Sequence, residues 1–135
     1  MLSIAVCDDI PLHLEDVRTR VQQFMRGTKE IFEIAAFSSS GELWQKIEEG
    51  WHPQIAVLDI EMDGENGISL AKRMNETLPD CRIIFLTSYI NYAPEVYETQ
   101  HIWFVVKNRA DEFFEPAMQK ALESLTEDTA AILES

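Results

Sequence analysis

Apolar and polar positions along this chain alternate between two periodicities. Four uninterrupted apolar runs, at residues 4–7, 55–58, 83–86 and 102–106, read as strands buried on both faces, the signature of a parallel sheet. A further stretch, residues 31–37, alternates roughly as a strand. Between these runs the apolar residues recur at helical spacing. Pro11 opens a helix at its first turn, Leu14, Val17, Val21, Phe24 and Met25 make one face, and Gly27 ends it. Ser38-Ser39-Ser40-Gly41 is a turn with N-cap candidates, followed by the stripe Leu43, Trp44 and Ile47. A loop over residues 61–67 precedes a third stripe, Ile68, Leu70, Ala71 and Met74, broken at Leu78-Pro79-Asp80. A short, weak helix is expected over residues 92–98. A last helix is expected to begin near Pro116 and to carry Ala117, Ala121, Leu122 and Leu125. Strand and helix thus alternate five times. That order predicts an α/β fold, a five-stranded parallel sheet with helices on both faces, which the doubly wound strand order 2-1-3-4-5 would satisfy.

Composition changes this picture little. The chain has 135 residues, 46% of them apolar, enough for one domain with its own core. The net charge of −13 repels phosphate backbones, so this piece is not expected to bind DNA by itself. Cys7 and Cys81 adjoin apolar runs and read as small buried residues in a reducing compartment. Met1-Leu2-Ser3 carries no basic region, and no apolar segment approaches the length of a membrane span. The expected location is the cytoplasm, with no membrane partner.

The chemistry is expected at one edge of the sheet. In parallel strands the C-terminal ends lie together, and strands 1 and 3 flank the switch point of this strand order. The first run ends in Asp8-Asp9, the run at residues 55–58 in Asp59, the next in Thr87-Ser88 and the last in Lys107. Adjacent strands lie about 4.8 Å apart, so Asp59 falls close to Asp8 or Asp9. Carboxylates so close raise one another's pKa unless a cation intervenes. Mg²⁺ suits them, with its hard oxygen ligands and its habit of binding carboxylates together with a phosphate. Asp59, on a central strand, is the candidate nucleophile for an aspartyl-phosphate. Lys107 and Thr87 supply a cation and a donor for phosphoryl oxygens.

Taken in order, these residues resemble the receiver domains of two-component response regulators, the CheY-like fold. The resemblance covers roughly residues 2–125. It rests on Asp8-Asp9, on Asp59 within Leu58-Asp59-Ile60-Glu61-Met62, on Gly67 opening the third helix, on Thr87-Ser88, and on Phe104 three residues before Lys107. It implies that Asp59 takes a phosphoryl group from a sensor histidine kinase. It implies that Asp9, Asp59 and the Glu61 backbone carbonyl hold Mg²⁺, with Asp8 helping through water. Lys107 and Thr87 would bind the phosphoryl oxygens, and Phe104 would change rotamer as Thr87 moves. Such a protein is a signalling phosphoacceptor rather than an enzyme. Self-association on phosphorylation is expected through the face formed by the fourth helix, the fifth strand and the last helix. Glu61 and Tyr89 would flank the line of attack of water on the phosphoryl group. The chain departs from the family pattern at Asp63 and Asn108, where prolines are usual. The stretch from Ile84 through Tyr89, Tyr92-Ala93 and Val96-Tyr97-Glu98 to His101 is similar to receivers joined to LytTR-type DNA-binding domains. Residues 1–125 are then the receiver. Residues 126–135 are the end of the last helix or a linker toward an output domain absent from this chain, through which alone DNA would be bound.

Other readings fit less well. A haloacid dehalogenase-type phosphatase needs a second acid two residues after its nucleophile, and Ile10 stands there after Asp8. A flavodoxin needs a Ser, Thr and Gly-rich phosphate loop where Asp8-Asp9-Ile10-Pro11 would repel phosphate, and a P-loop is absent. The alternative of another class is a CheY-like interaction or dimerisation module that is never phosphorylated. His13, His52 and His101 show no metal-ligand spacing and read as solvated or capping residues.

Overall fold

The computed structural model describes residues 1–88 and 102–134, with side chains through residue 126. Five strands form one parallel sheet: β1 (Leu2–Cys7), β2 (Phe32–Phe37), β3 (Ile55–Leu58), β4 (Arg82–Thr87) and β5 (Ile102–Val106). Their order is β2-β1-β3-β4-β5, the doubly wound order expected above. The register pairs Cys7 with both Phe37 and Leu58, Leu58 with Phe85, and Thr87 with Val106, so the strand ends are nearly level.

The period of two along each strand sorts the core into two faces. Ala5, Cys7, Ala56, Leu58, Ile83 and Phe85 point one way, to α2 (Ser40–Glu48) and α3 (Gly67–Thr77). Ile4, Val6, Ile55, Val57, Ile84 and Leu86 point the other way, to α1 (Pro11–Arg26) and the C-terminal helix (Ala110–Glu134). The helical stripes meet these faces: Val17, Val21 and Met25 from α1, Leu43 and Ile47 from α2, and Ile68, Leu70, Ala71 and Met74 from α3 are all buried. Each of these side chains except Ala71 contributes about 1.5–3 kcal/mol by leaving water. Local signals start the helices where expected. Pro11 begins α1, Ser39 caps α2 by accepting from the Glu42 N–H, and Asn66 caps α3 by accepting from the Ser69 N–H at 2.9 Å.

The last helix differs from expectation. It begins at Ala110, directly after a 3₁₀ turn over Lys107–Arg109, and Pro116 lies inside it. A proline in a helix interior removes one backbone bond. Here Ala110, Phe114, Ala117, Met118 and Ala121 are buried on one stripe, and that packing offsets the loss. Arg82 also differs from the usual exposed arginine. It is buried at the start of β4 and donates to the Ser124 side chain at 2.8 Å and to the Ser124 carbonyl at 3.0 Å, tying the C-terminal helix to the sheet. The helix expected over residues 92–98, with Tyr89, Ile90 and His101, lies outside the described residues.

Candidate functional site: an acidic cleft at the strand ends

Because β1 and β3 are neighbours in register, the residues that follow them meet. The Asp59 N–H donates to the Cys7 carbonyl at 3.0 Å, and the Asp8 N–H donates to the Phe37 carbonyl at 3.1 Å. Asp8, Asp9 and Asp59 each place one carboxylate oxygen within 4.8 Å of the others. Asp8 and Asp59 are buried, and Asp9 is half-buried. Lys107 reaches this group from the end of β5. Its Nζ lies 2.8 Å from Asp8 Oδ2 and 3.2 Å from Asp59 Oδ2. Thr87, at the end of β4, is buried and hydrogen-bonds the Asp59 carboxylate.

Burial raises the pKa of Asp59 above the ordinary value of 3.8. Lys107 opposes the rise, the Asp8 charge adds to it, and the bonds from Thr87 and Lys107 oppose it again. The Cys7 thiol beside the cluster is pushed up to about 12, first by burial and then by the surrounding acids. It stays a thiol and takes no part as a nucleophile.

The loop after β3 is held on three sides. The Asp63 N–H donates to Asp9 Oδ2 at 3.0 Å. Ser40 Oγ donates to the Glu65 carbonyl at 3.0 Å, and Glu65 pairs with Arg73, whose guanidinium lies 4.2 Å from the centre of the Trp44 ring. At Gly67 the backbone of α3 comes against the end of β3. A Cβ there would lie 2.1 Å from the Asp59 carbonyl oxygen, so only glycine lets α3 start so close.

A family model for the response regulator receiver domain matches residues 4–125. The chain belongs to that family. The receiver is 27% identical over 127 residues to the sensory transduction protein LytT of Oceanobacillus iheyensis, covering 93% of this chain and 50% of that protein. It is 29% identical over 120 residues to the positive alginate biosynthesis regulatory protein of Pseudomonas aeruginosa, covering 89% and 47%. The chain thus spans about half the length of these curated relatives. Among solved structures, it resembles the response regulator TrrA of Thermotoga maritima in complex with Mg²⁺ and BeF, at 27% identity and a TM-score of 0.75. That match covers 90% of this chain and 99% of the other.

The receiver's acidic cleft fits a divalent cation. Asp59 Oδ2 bonds Lys107, but Asp59 Oδ1 is buried without a hydrogen-bond partner among the described residues. A buried carboxylate oxygen left so is costly, and a cation would satisfy it. The open side of the cleft is lined by Asp9, Ile10, Glu61, Met62, Asp63 and Asn66, which puts Glu61 beside the carboxylates. Phe104 is half-buried in β5, opposite Phe85 and on the face of α2 and α3. Among the described residues, no helix is long and apolar enough to cross a membrane.

One member of the site escapes the sequence reading. His13, read there as solvated or capping, places Nδ1 2.8 Å from Lys107 Nζ and 4.0 Å from Asp8 Oδ2. The available signal was its place in the first turn of a helix that starts straight after Asp8-Asp9, which returns the third helical residue over the strand end.

Proposed function

We propose that this receiver takes a phosphoryl group onto Asp59 from a phosphohistidine of a sensor histidine kinase. The observation that carries the reading is the state of Asp59. It is buried, has one oxygen paired with Lys107 and has the other without a partner among the described residues, beside two further carboxylates. An Asp59 oxygen attacks phosphorus, the P–O bond forms, the P–N bond breaks, and the imidazole leaves with the electron pair. Mg²⁺, held by Asp9, Asp59 and the Glu61 carbonyl, with Asp8 helping through water, would neutralise the phosphoryl oxygens. Lys107 pairs with carboxylates before transfer and with a phosphoryl oxygen after it. Thr87 turns from Asp59 to another phosphoryl oxygen, and Phe104 follows into the space it leaves. The product adds about −1.5 to −2 charge in a site that holds one lysine. The protein acts on itself alone, as a switch.

Residues 1–125 form the switching unit in this reading, and residues 126–135 lead toward an output domain. The similarity to LytT supports a LytTR-type transcriptional output, with DNA bound by that domain and not by the acidic receiver. The proposed cytoplasmic site of action is the compartment of the kinase's phosphohistidine. Incubation with acetyl phosphate and Mg²⁺ followed by intact mass tests the core of the reading. One added phosphate, lost when EDTA is present, is expected. No adduct would favour an interaction module that works without phosphorylation.

A further inference from the structure

An ammonium has three N–H donors and accepts nothing. On Lys107 all three have acceptors: Asp8 Oδ2 at 2.8 Å, Asp59 Oδ2 at 3.2 Å and His13 Nδ1 at 2.8 Å. Two acceptors are the carboxylates already described. The third is an imidazole from a different element, the first turn of α1, and phosphoryl transfer as proposed above gives it no part. Since Lys107 donates, Nδ1 must carry a lone pair, which puts the ring proton on Nε2. The ring edges a cavity of about 210 Å³ lined also by Asp16, Leu86, Lys107 and Ala110, so the lysine has room on that side.

These distances divide the work. The bond to His13 draws the ammonium toward α1, against the pull of the two carboxylates. The bond to Asp59 is the longest of the three. Without His13 the ammonium keeps, among the described residues, only the carboxylates as side-chain acceptors and settles deeper between them. Its pairing with Asp59 then tightens, which makes that oxygen a poorer nucleophile and sets the lysine against a cation in the same cleft.

We propose that His13 is a positioning residue for phosphoryl transfer: it accepts a hydrogen bond from Lys107 and holds the ammonium at the rim of the carboxylate cluster. There the ammonium meets an incoming phosphoryl oxygen without closing over Asp59. The proposal rests on the receiver reading of Asp59.

Two variants separate it from a packing role. His13→Leu fills the space and removes the acceptor, whereas His13→Asn places Oδ1 where Nδ1 sits. With saturating Mg²⁺ and acetyl phosphate, His13→Leu is expected to slow phosphorylation about five- to tenfold, the worth of one hydrogen bond, with His13→Asn within about twofold of wild type. In parallel, the ¹⁵N signal of His13 Nδ1 in the unphosphorylated chain is expected to move on Lys107→Met. A wild-type rate in His13→Leu, equal slowing in both His13 variants, or an imidazole signal indifferent to Lys107→Met would each overturn the proposal. A wild-type chain that takes up no phosphate overturns the receiver reading and the rate claim with it. The imidazole signal distinguishes that failure from a missing bond between His13 and Lys107.

Discussion

At the scale of single residues, the fold disfavours the charge on Asp59. Its pKa is raised, chiefly by burial, so the folded chain binds this proton more tightly than the unfolded chain does. The stability that this group contributes is therefore complete below 3.8 and falls as pH rises through the window up to the folded value. Above that window the charge weighs against folding. Asp59→Asn removes it at nearly constant volume and should melt about 2–5 °C higher than wild type without divalent cations. Adding Mg²⁺ should narrow that gap, because only wild type keeps the third carboxylate. Thermal denaturation at pH 7 with and without Mg²⁺ measures both. A lower melting temperature for Asp59→Asn would mean that the pair with Lys107 outweighs burial. That these residues share one edge was legible in the sequence, because a parallel strand projects the residue that follows it onto that edge. Asp8, Asp9, Asp59, Thr87 and Lys107 each follow or end an apolar run, and the structure brings all five together. His13 was not legible, since a histidine on a helix carries no mark of which strand end the helix crosses.

At the scale of elements, strand and helix types followed from periodicity, and their boundaries followed less well. The start of the last helix was misplaced by a strong local rule. Proline usually marks a first turn, but the burial of Phe114 and Met118 outweighs that preference here. Arg82 gave no warning either: an arginine before an apolar run reads as a solvated end, yet it is buried against Ser124. Gly67 shows how an element fixes the site. Its missing side chain lets α3 start against the Asp59 backbone, and the loop carrying Glu61 is drawn in with it. Gly67→Ala should destabilise the fold by about 2–4 kcal/mol, since the clash is with backbone that cannot turn aside. Urea denaturation gives the figure. The same variant should bind Mg²⁺ more weakly than wild type by calorimetric titration. Unchanged stability would show that α3 can move away freely.

At the scale of the molecule, the sheet divides two tasks. Its C-terminal edge gathers the acids, and its two faces fix the helices that frame them. The parallel sheet was legible because long apolar runs require cover on both faces, which a doubly wound arrangement provides, but alternation alone does not choose among doubly wound strand orders. Signal output is proposed to run from Thr87 and Phe104 to the face around β5. Beryllofluoride with Mg²⁺, a phosphoryl mimic, should therefore shift wild type from monomer toward dimer in sedimentation at micromolar concentration. Lys107→Ala should take up phosphate from acetyl phosphate yet remain monomeric, since it lacks the cation that draws the phosphoryl group into the switch. A wild type that sediments identically with and without the mimic would remove self-association from the account.

The central claim is that one carboxylate, Asp59, receives the phosphoryl group. An acyl phosphate is reduced by borohydride to an alcohol, which converts a phosphorylated aspartate to homoserine. The chain would be treated with acetyl phosphate and Mg²⁺, reduced, digested and sequenced by mass spectrometry. The account predicts homoserine at position 59 and at neither 8 nor 9. Homoserine at either of those positions, with Asp59 intact, would contradict it.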